Sequence, residues 1–151
     1  MATYYRIVQA HRAATAMVGE GARLFGGRWN PPGMAAVYLA ESRALAALEI
    51  HVHAPREAIE LEWRLLEVEV PEPWIESVSA ADLPADWQAR PSSPGAQRFG
   101  GRWLQHGTRV ALKLPSVIIP QEHTLLLNPL HPHAARLKVS DLLVFRLDPR
   151  F

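Results

Sequence analysis

The sequence of 151 residues contains no cysteine, and this absence excludes several classes of protein. Without thiols the chain forms no disulfide framework, no thiolate zinc site and no cysteine nucleophile. Long apolar runs are also missing, since the longest covers residues 34–40 and a bilayer span needs about 20 residues. The first residues, MATYYRIVQAHR, lack the apolar segment after a basic start that a signal peptide requires. We therefore expect a cytoplasmic protein that does not act in a membrane.

A large excess of charge of either sign is missing as well. The chain has 16 basic and 15 acidic residues, a net charge of +1, and 14 of the basic residues are arginine. This balance excludes a charge-driven arm for polyanions, and nucleic-acid binding gains no support because phosphate contacts need a clustered basic face. A hydrophobic content of 48% and a length close to the usual ~100–150 residues predict one globular domain over residues 1–151.

Apolar segments, some alternating and some continuous, predict several short strands. In the longest of them, the apolar residues change phase between Leu65 and Leu66, which predicts a β-bulge or a strong bend. The predicted strand segments are residues 4–8, 36–40, 61–70, 110–114, 117–119, 125–127 and 142–147.

Helices are fewer and are separated by loops. Ser42 is a typical N-cap residue before RALAALEIHVHA, and Pro55 ends this predicted helix. A second helix is predicted over residues 97–106, and one or two helical turns over residues 11–18. Glycine and proline predict that residues 19–33 form a long loop without regular structure, and such loops are often functional. Together the elements indicate an α/β or α+β domain.

The pentapeptide FGGRW occurs at residues 25–29 and again at residues 99–103. Its flanking residues match only loosely, so we interpret the echo as local convergence and not as a duplicated fold. Residues 75–94, rich in Pro, Ala, Ser and Asp, predict a loop-rich excursion. We expect Trp74 and Trp87 to anchor this excursion at the surface.

Glu49 is the first candidate for chemistry, because it lies in the apolar helix segment ALAALEIHVHA. A carboxylate in a buried helix must be paired, hydrogen-bonded or protonated; the alternative is a carboxylate at the rim of the buried face that reaches solvent. His53 follows four residues later and shares the helix face of Glu49, whereas His51 points elsewhere. Neighbouring metal ligands on a helix need a spacing of three or four residues, so this histidine pair predicts no metal site.

Two loops carry further polar candidates. In RLFGGRWN, Gly26 and Gly27 permit close approach of the backbone to a ligand, and Arg23 and Arg28 offer forked donors for phosphate or carboxylate. The glycine spacing matches neither a dinucleotide-binding fingerprint nor a P-loop, so the alternative is a surface turn with a solvated arginine. Ser116 lies between two predicted strands without a G-x-S-x-G motif, and its alternative is a turn or capping serine.

Five segments, in order, resemble the RES domain family, the toxins of bacterial toxin–antitoxin pairs. They are YYRIV, GGRWNPPG, VYLAES, ALEIHVH and LPSVIIPQEHTLLLNPLHP, and they span residues 4–132. The match is weaker over residues 71–96, and Thr124 stands where the family often has asparagine. The resemblance implies an ADP-ribosyltransferase-like α+β domain with short mixed or antiparallel sheets and flanking helices. It also implies that NAD⁺ binds in a cleft between two small sheets.

The resemblance further implies which residues bind and cleave NAD⁺. An arginine near the N-terminus and a histidine one turn after the family glutamate correspond to Arg6 and His53, and both are expected at the NAD⁺ site. The family's arginine, tyrosine, glutamate and serine correspond to Arg28, Tyr38, Glu49 and Ser116.

These assignments imply cleavage of the nicotinamide–ribose bond without a metal. Breaking that bond develops positive charge on the ribose, and an ionised Glu49 would stabilise this charge. Arg28 and Arg6 would pair with the pyrophosphate and would help to keep Glu49 ionised. Tyr38 would stack on or orient the nicotinamide, and Ser116 would hydrogen-bond the ribose or the amide.

The sequence leaves the acceptor of the ADP-ribosyl group open. Water or phosphate would make the protein an NAD⁺-depleting glycohydrolase or phosphorylase, which we favour because no separate target-docking module is visible. A protein side chain would make it a mono-ADP-ribosyltransferase, and a non-enzymatic binding module is a further alternative. The resemblance implies an Xre-like helix-turn-helix antitoxin that inserts a chain end or an acidic group near Arg28 and Arg6. It is also compatible with a homodimer.

Overall fold

The computed structural model describes residues 1–150, which form eight strands, three α-helices and five short 3-10 helices. The strands are β1 (Ala2–Gln9), β2 (Val37–Ala40), β3 (Trp63–Val70), β4 (Ile75–Ser77), β5 (Ala111–Pro115), β6 (His123–Leu127), β7 (Lys138–Val139) and β8 (Leu143–Phe145). The α-helices are α1 (Glu20–Phe25), α2 (Arg43–His53) and α3 (Pro94–His106). The 3-10 helices are Ala10–Thr15, Arg56–Glu60, Glu72–Trp74, Ala80–Asp82 and Pro132–Arg136. Within residues 1–150, every helix is too short or too polar to cross a membrane.

All eight strands belong to one mixed sheet in the order β4-β5-β6-β2-β1-β3-β7, with β8 also paired to β3. Every pair is antiparallel except β4 with β5. The predicted α+β class is therefore confirmed. The resemblance implied two small sheets; in the structure, two half-sheets are joined where β1 meets β2, through the single residue pair Tyr5 and Ala40.

Strand β3 pairs with β1 without interruption, so the predicted β-bulge is wrong. The register runs continuously from Trp63 opposite Gln9 to Val70 opposite Ala2. Leu65 and Leu66 are both buried because this part of the sheet is covered on both faces. The phase change in the sequence therefore reports two-sided burial and not an inserted residue.

Helices α2 and α3 cover the same face of the sheet. Tyr38 and Ala40 point to this face from alternate positions of β2. Tyr38 packs against the cluster that contains Trp103 of α3, and Ala40 packs with Leu45 and Ala46 of α2. Strand β2 therefore lies beneath the boundary between the two helices.

Helix α2 begins and ends as predicted. The Ser42 hydroxyl oxygen accepts the backbone N–H of Leu45 at 3.0 Å, and the helix ends two residues before Pro55. The buried residues of the helix are Leu45 and Ala46, both in its first turn. The second half, which carries Glu49, therefore lies at the edge of the core.

Six of the seven predicted strand segments contain a strand, but residues 117–119 form none. Instead, the Ser116 hydroxyl accepts backbone N–H groups of this segment, which makes it a turn. Trp87 is also not a surface anchor: it is buried in one cluster with Trp29 and Trp103. Trp74 is half-buried and stacks on an imidazole ring.

The prediction of an irregular loop over residues 19–33 is wrong in its first part, which contains α1. Gly19 and Gly26, with φ angles of +79° and +74°, lie at the two ends of this helix. Glycine adopts this left-handed conformation without the strain of a side chain. Glu20 pairs with Arg23 across one turn, which supports the helix from within. The glycines thus delimit a short helix instead of preventing one.

The two FGGRW segments differ in structure, since the first covers the last residue of α1 and the loop after it, whereas the second lies in α3. They nevertheless pack against each other. The rings of Trp29 and Phe99 meet edge to face with centroids 6.0 Å apart, and Gln97 Nε2 donates to the carbonyl oxygen of Gly27 at 3.0 Å. A Cβ on Gly100 would lie 1.8 Å from the carbonyl oxygen of Trp29. Only glycine permits this contact between helix and loop.

Replacement of Gly100 by alanine is expected to destabilise the protein by about 1–3 kcal/mol or more, although alanine is the better helix former. The new methyl group would collide with the Trp29 carbonyl, so the helix and loop must separate. Gly21→Ala in α1 is the matched control, because nothing lies within 4 Å of its added methyl group. This control should gain up to ~1 kcal/mol. Urea denaturation measures both changes, and a Gly100→Ala protein of unchanged stability would contradict the packing.

Candidate active site

Tyr38 is held both at its hydroxyl group and at its backbone. The hydroxyl donates a 2.6 Å hydrogen bond to Asn30 Oδ1 and accepts one of 3.0 Å from the backbone N–H of Trp29. At the backbone, Arg6 Nη1 donates to the carbonyl oxygen of Tyr38 at 3.1 Å. Burial raises the pKa of the Tyr38 hydroxyl, which is therefore neutral at physiological pH. The hydroxyl is thus engaged within the protein, and stacking of the ring on a ligand stays a prediction.

Asn30 is fully buried and organises the loop in front of β2. Its Nδ2 donates to the carbonyl oxygens of Ala22 at 2.8 Å and Met34 at 3.0 Å, with a longer contact of 3.3 Å to Pro31. Its Oδ1 accepts from the Tyr38 hydroxyl. The sequence analysis missed Asn30, because an asparagine before proline is a common turn residue and gives no separate signal.

Gly27 serves the packing of the same loop. A Cβ at this position would lie 2.8 Å from both the Tyr38 hydroxyl and Asn30 Oδ1, and would displace their hydrogen bond. The close approach of backbone that the sequence predicts at Gly27 therefore occurs within the protein. Contact of this glycine with a ligand stays a prediction.

Arg28 divides its hydrogen-bond donors between the protein and the open side of the loop. Its Nη1 donates to the carbonyl oxygens of Trp87 at 3.1 Å and Ala89 at 2.7 Å. Its Nε and Nη2 groups donate to no other residue within 1–150 and are free for an anion. Burial lowers the pKa of Arg28 and nearby Arg90 lowers it further, whereas Glu49 raises it. The Arg28 cation and the Glu49 carboxylate thus share one electrostatic environment.

The Glu49 carboxylate lies at the rim of the core and not inside it. Its side chain is 35% exposed, and its Oε2 lies 3.4 Å from Nε2 of His53, one turn later. The interaction with Glu49 raises the pKa of His53, while partial burial and Arg28 act in the opposite direction. Arg28 also interacts with Tyr38. The structure therefore brings four of the predicted residues into one neighbourhood, although they come from a loop, a strand and a helix.

Ser116 is buried and has the turn role that the sequence analysis left open. Its hydroxyl oxygen accepts the backbone N–H groups of Ile118 at 3.1 Å and Ile119 at 3.2 Å. Its own backbone N–H donates to the carbonyl oxygen of Glu122 at 2.9 Å. The hydroxyl hydrogen meets no acceptor within residues 1–150, so its use toward a ribose or an amide stays a prediction.

Arg6 lies on the other face of the sheet from α2. Its neighbours Tyr5 and Ile7 pack toward that helix, so the alternation of the strand directs Arg6 away from it. Arg6 Nε donates to the carbonyl oxygen of Ala16 at 3.0 Å, and burial lowers the pKa of the guanidinium to about 10. The structure therefore does not bring Arg6 together with Glu49.

Arg90 belongs to the neighbourhood of Arg28, although the sequence analysis did not single it out. It follows directly after Ala89, whose carbonyl oxygen binds Arg28. Its Nη2 donates to the carbonyl oxygen of Val117 at 3.4 Å, one residue beyond Ser116. The segment that contains Arg90 resembles the family least, so no motif drew attention to it.

An open, mainly apolar depression of about 390 Å³ lies at the end of α2 and is lined by Ile50, His53 and Ala58, among others. Of the predicted site residues, only His53 reaches it, and no arginine lines it. It therefore does not offer the cations that a diphosphate needs. No three His, Asp or Glu side chains within residues 1–150 are grouped to hold a metal ion.

The pKa of the His53 imidazole is expected to lie above its ordinary value of about 6.5 and to fall in Glu49→Gln. Because the folded-state pKa is raised, the stabilisation from this pair is full below that ordinary value and is lost as the pH rises through the folded-state pKa. An NMR titration of the imidazole resonances measures the change. The His11 ring, which contacts Arg12, is the control, and its resonances should be the same in both proteins. An unchanged His53 pKa in Glu49→Gln would contradict the ion pair.

Comparisons with known proteins identify relatives of this chain. Over 153 residues the chain is 40% identical to the Prs ADP-ribosylating toxin of a Sphingobium species, covering 98% of this chain and 95% of the relative. A shorter match of 53% over 49 residues, 32% of this chain and 25% of the relative, connects it to the NAD(+) phosphorylase MbcT of Mycobacterium tuberculosis.

The fold is similar to a chain in the crystal structure of the M. tuberculosis MbcT-MbcA toxin-antitoxin complex. The TM-score is 0.77, the identity 24%, and the match covers 99% of this chain and 85% of the other. The model of the RES domain matches residues 3–148, almost the whole chain. This chain therefore belongs to the RES domain family of toxins.

Proposed function

We propose that this protein is the toxin of a toxin–antitoxin pair, and that it binds NAD⁺ and cleaves its nicotinamide–ribose bond. The observation that carries the proposal is the convergence of Arg28, Tyr38, Glu49 and His53, which are separated in sequence but share one electrostatic neighbourhood. A carboxylate beside a cation, with an aromatic ring between loop and helix, fits a ligand that combines a ribose, an aromatic amide and a diphosphate.

Glu49 is the residue to which we assign the chemical step. As the bond from ribose to nicotinamide breaks, its electron pair leaves with nicotinamide and the ribose gains oxocarbenium character. The partly exposed carboxylate at the rim of α2 would stabilise that charge from its position beside His53 and in the electrostatic neighbourhood of Arg28. The contribution is electrostatic and requires neither a thiol nor a metal.

The other residues would bind and orient the substrate. The free Nε and Nη2 donors of Arg28 would pair with the diphosphate, and the ring of Tyr38 would stack on the nicotinamide. Ser116 would use its remaining hydroxyl hydrogen toward the ribose or the amide. Arg6 would not touch the substrate but would position Tyr38, since it donates to the Tyr38 backbone from the opposite face of the sheet.

The acceptor of the ADP-ribosyl group gives two candidate functions. With water or phosphate as acceptor, the product is ADP-ribose or its phosphate ester and the cell loses NAD⁺; the match to an NAD(+) phosphorylase supports this candidate. With a protein side chain as acceptor, the protein is a mono-ADP-ribosyltransferase. The similarity to the Prs ADP-ribosylating toxin over almost the whole chain favours this second candidate.

A toxin of this kind would act in the cytoplasm and needs a partner that blocks it. The similarity to a chain from a toxin-antitoxin complex supports such a partner, for which we retain the Xre-like antitoxin as the proposal. An acidic group or chain end of the antitoxin would occupy the donors of Arg28 that the protein itself leaves free. A homodimer is compatible with this arrangement.

Glu49→Gln is expected to lower the rate of nicotinamide release from NAD⁺ by about 100-fold or more, because it removes the charge that stabilises the ribose cation. Glu60→Gln, an exposed glutamate after α2, is the matched control and should keep the wild-type rate. Chromatography of nicotinamide measures both rates, and circular dichroism verifies that both variants are folded. Equal rates in wild type and Glu49→Gln would remove Glu49 from the mechanism.

Incubation of the protein with NAD⁺ and a bacterial lysate is expected to lower total NAD⁺ and to yield ADP-ribose or its phosphate ester. Mass spectrometry of small molecules and of tryptic peptides identifies the acceptor, and Glu49→Gln serves as the inactive control. One specifically ADP-ribosylated protein with little loss of NAD⁺ would instead establish the second candidate. Removal of phosphate from the buffer separates the hydrolytic from the phosphorolytic reaction.

A further inference from the structure

We infer that Arg90 and Arg28 together form a two-arginine site for a phosphate group beside Ser116. The inference deepens the proposed function, because it names a residue that function had not included. The phosphate would come either from the diphosphate of NAD⁺ or from free inorganic phosphate that serves as acceptor, and both offer the same chemistry to a guanidinium.

The backbone carbonyl groups of the protein hold the Arg28 guanidinium in place. Its Nη1 group is fixed by the carbonyl oxygens of Trp87 and Ala89, at 3.1 Å and 2.7 Å. Trp87 is itself buried in the core, so this backbone is anchored. The guanidinium is therefore held in one plane, with the Nε and Nη2 edge directed away from the carbonyl oxygens.

Arg90 lies next to the backbone that holds Arg28. It is the next residue after Ala89, and its guanidinium reaches across to the carbonyl oxygen of Val117 at 3.4 Å. Arg90 therefore bridges the loop that seats Arg28 and the turn that holds Ser116. Two guanidinium groups that can donate to phosphate oxygens thus belong to adjacent backbone segments, beside the turn of Ser116.

The two guanidinium groups carry like charges and lie near each other. Arg90 is near enough to lower the pKa of Arg28, and within residues 1–150 no carboxylate oxygen lies within ion-pair distance of either guanidinium. Other arginines of the protein, such as Arg23 and Arg43, have a glutamate partner. Glu49 acts on Arg28 only from beyond ion-pair distance, so two like charges that backbone carbonyls hold near each other lack a direct carboxylate partner, an arrangement that a bound anion stabilises.

The test compares Arg90→Gln, Arg90→Lys and the matched control Arg102→Gln, an exposed arginine of α3. Calorimetric titration with ADP-ribose, which contains the diphosphate but no nicotinamide, measures binding in the full chain. Nicotinamide release measures KM for NAD⁺ and the dependence of the rate on inorganic phosphate. Thermal denaturation establishes that each variant is folded.

If the diphosphate is the ligand, Arg90→Gln is expected to weaken ADP-ribose binding and to raise KM for NAD⁺ by about tenfold or more, with kcat little changed. Arg90→Lys should recover part of the loss, because it restores the charge but not the fork. If free phosphate is the ligand, ADP-ribose binding and KM for NAD⁺ stay at wild-type values, and the stimulation of the rate by phosphate is lost.

The inference is overturned if Arg90→Gln leaves ADP-ribose binding, KM and phosphate dependence all within twofold of wild type. It is also overturned if Arg102→Gln produces the same loss as Arg90→Gln, since the effect would then be one of net charge. A wild-type protein that binds ADP-ribose in an Arg90-dependent manner but releases no nicotinamide would refute the proposed cleavage and leave this phosphate site intact.

Discussion

The anchoring of Tyr38 from both ends is the constraint on which the rest of the site depends. The two halves of the sheet meet through one residue pair, Tyr5 with Ala40, so β1 and β2 have little backbone pairing to hold them together. Arg6 compensates, because its guanidinium donates to the Tyr38 carbonyl of one half from a strand of the other. At the far end, the Tyr38 hydroxyl binds Asn30 and the backbone of the glycine-rich loop. One side chain thus connects the sheet junction to the loop that carries Arg28.

From that loop the order extends to α3 and to the segment before it. Gly100 lets α3 contact the Trp29 backbone. The Arg28 guanidinium is oriented by the hydrogen bonds that it donates to the carbonyl oxygens of Trp87 and Ala89. The packing is tight. A methyl group on Gly100 would collide with the Trp29 carbonyl oxygen, and one on Gly27 would collide with the Tyr38 hydroxyl and Asn30 Oδ1. The glycine-rich loop is therefore closely packed: the missing side chains permit close approach of the backbone, and this packing fixes the direction of the Arg28 guanidinium.

Glu49 interacts electrostatically with Arg28 of this loop, and it lies on a helix that is buried only in its first turn. Its position at the rim keeps the carboxylate accessible, while His53 and Arg28 supply positive charge around it. A carboxylate at this rim is partly exposed, so that both solvent and a bound ligand can reach it, and its action on a ligand stays a prediction.

The local elements follow from sequence alone, because they rest on interactions between near neighbours. Ser42 and Pro55 bound α2 by capping and by the loss of a donor, and Glu49 and His53 share a face because of helical periodicity. The family resemblance rests on the same short segments. Where an apolar pattern had two physical causes, sequence reasoning chose the wrong one, as for the supposed bulge at Leu65.

Only the tertiary structure decides which side chains meet, because that depends on pairing between distant segments. It places Arg6 on the face of the sheet opposite α2 and Glu49, although Arg6 and Arg28 looked equally suited to bind a diphosphate. It shows Asn30 bound to the Tyr38 hydroxyl and Arg90 beside the turn of Ser116, although the family resemblance gave neither residue a role. The sequence by itself therefore determined the family, the helix that carries the carboxylate and the residue types for NAD⁺ chemistry. The packing of α3 and the sheet junction decided that Arg28, and not Arg6, lies in the electrostatic neighbourhood of that carboxylate.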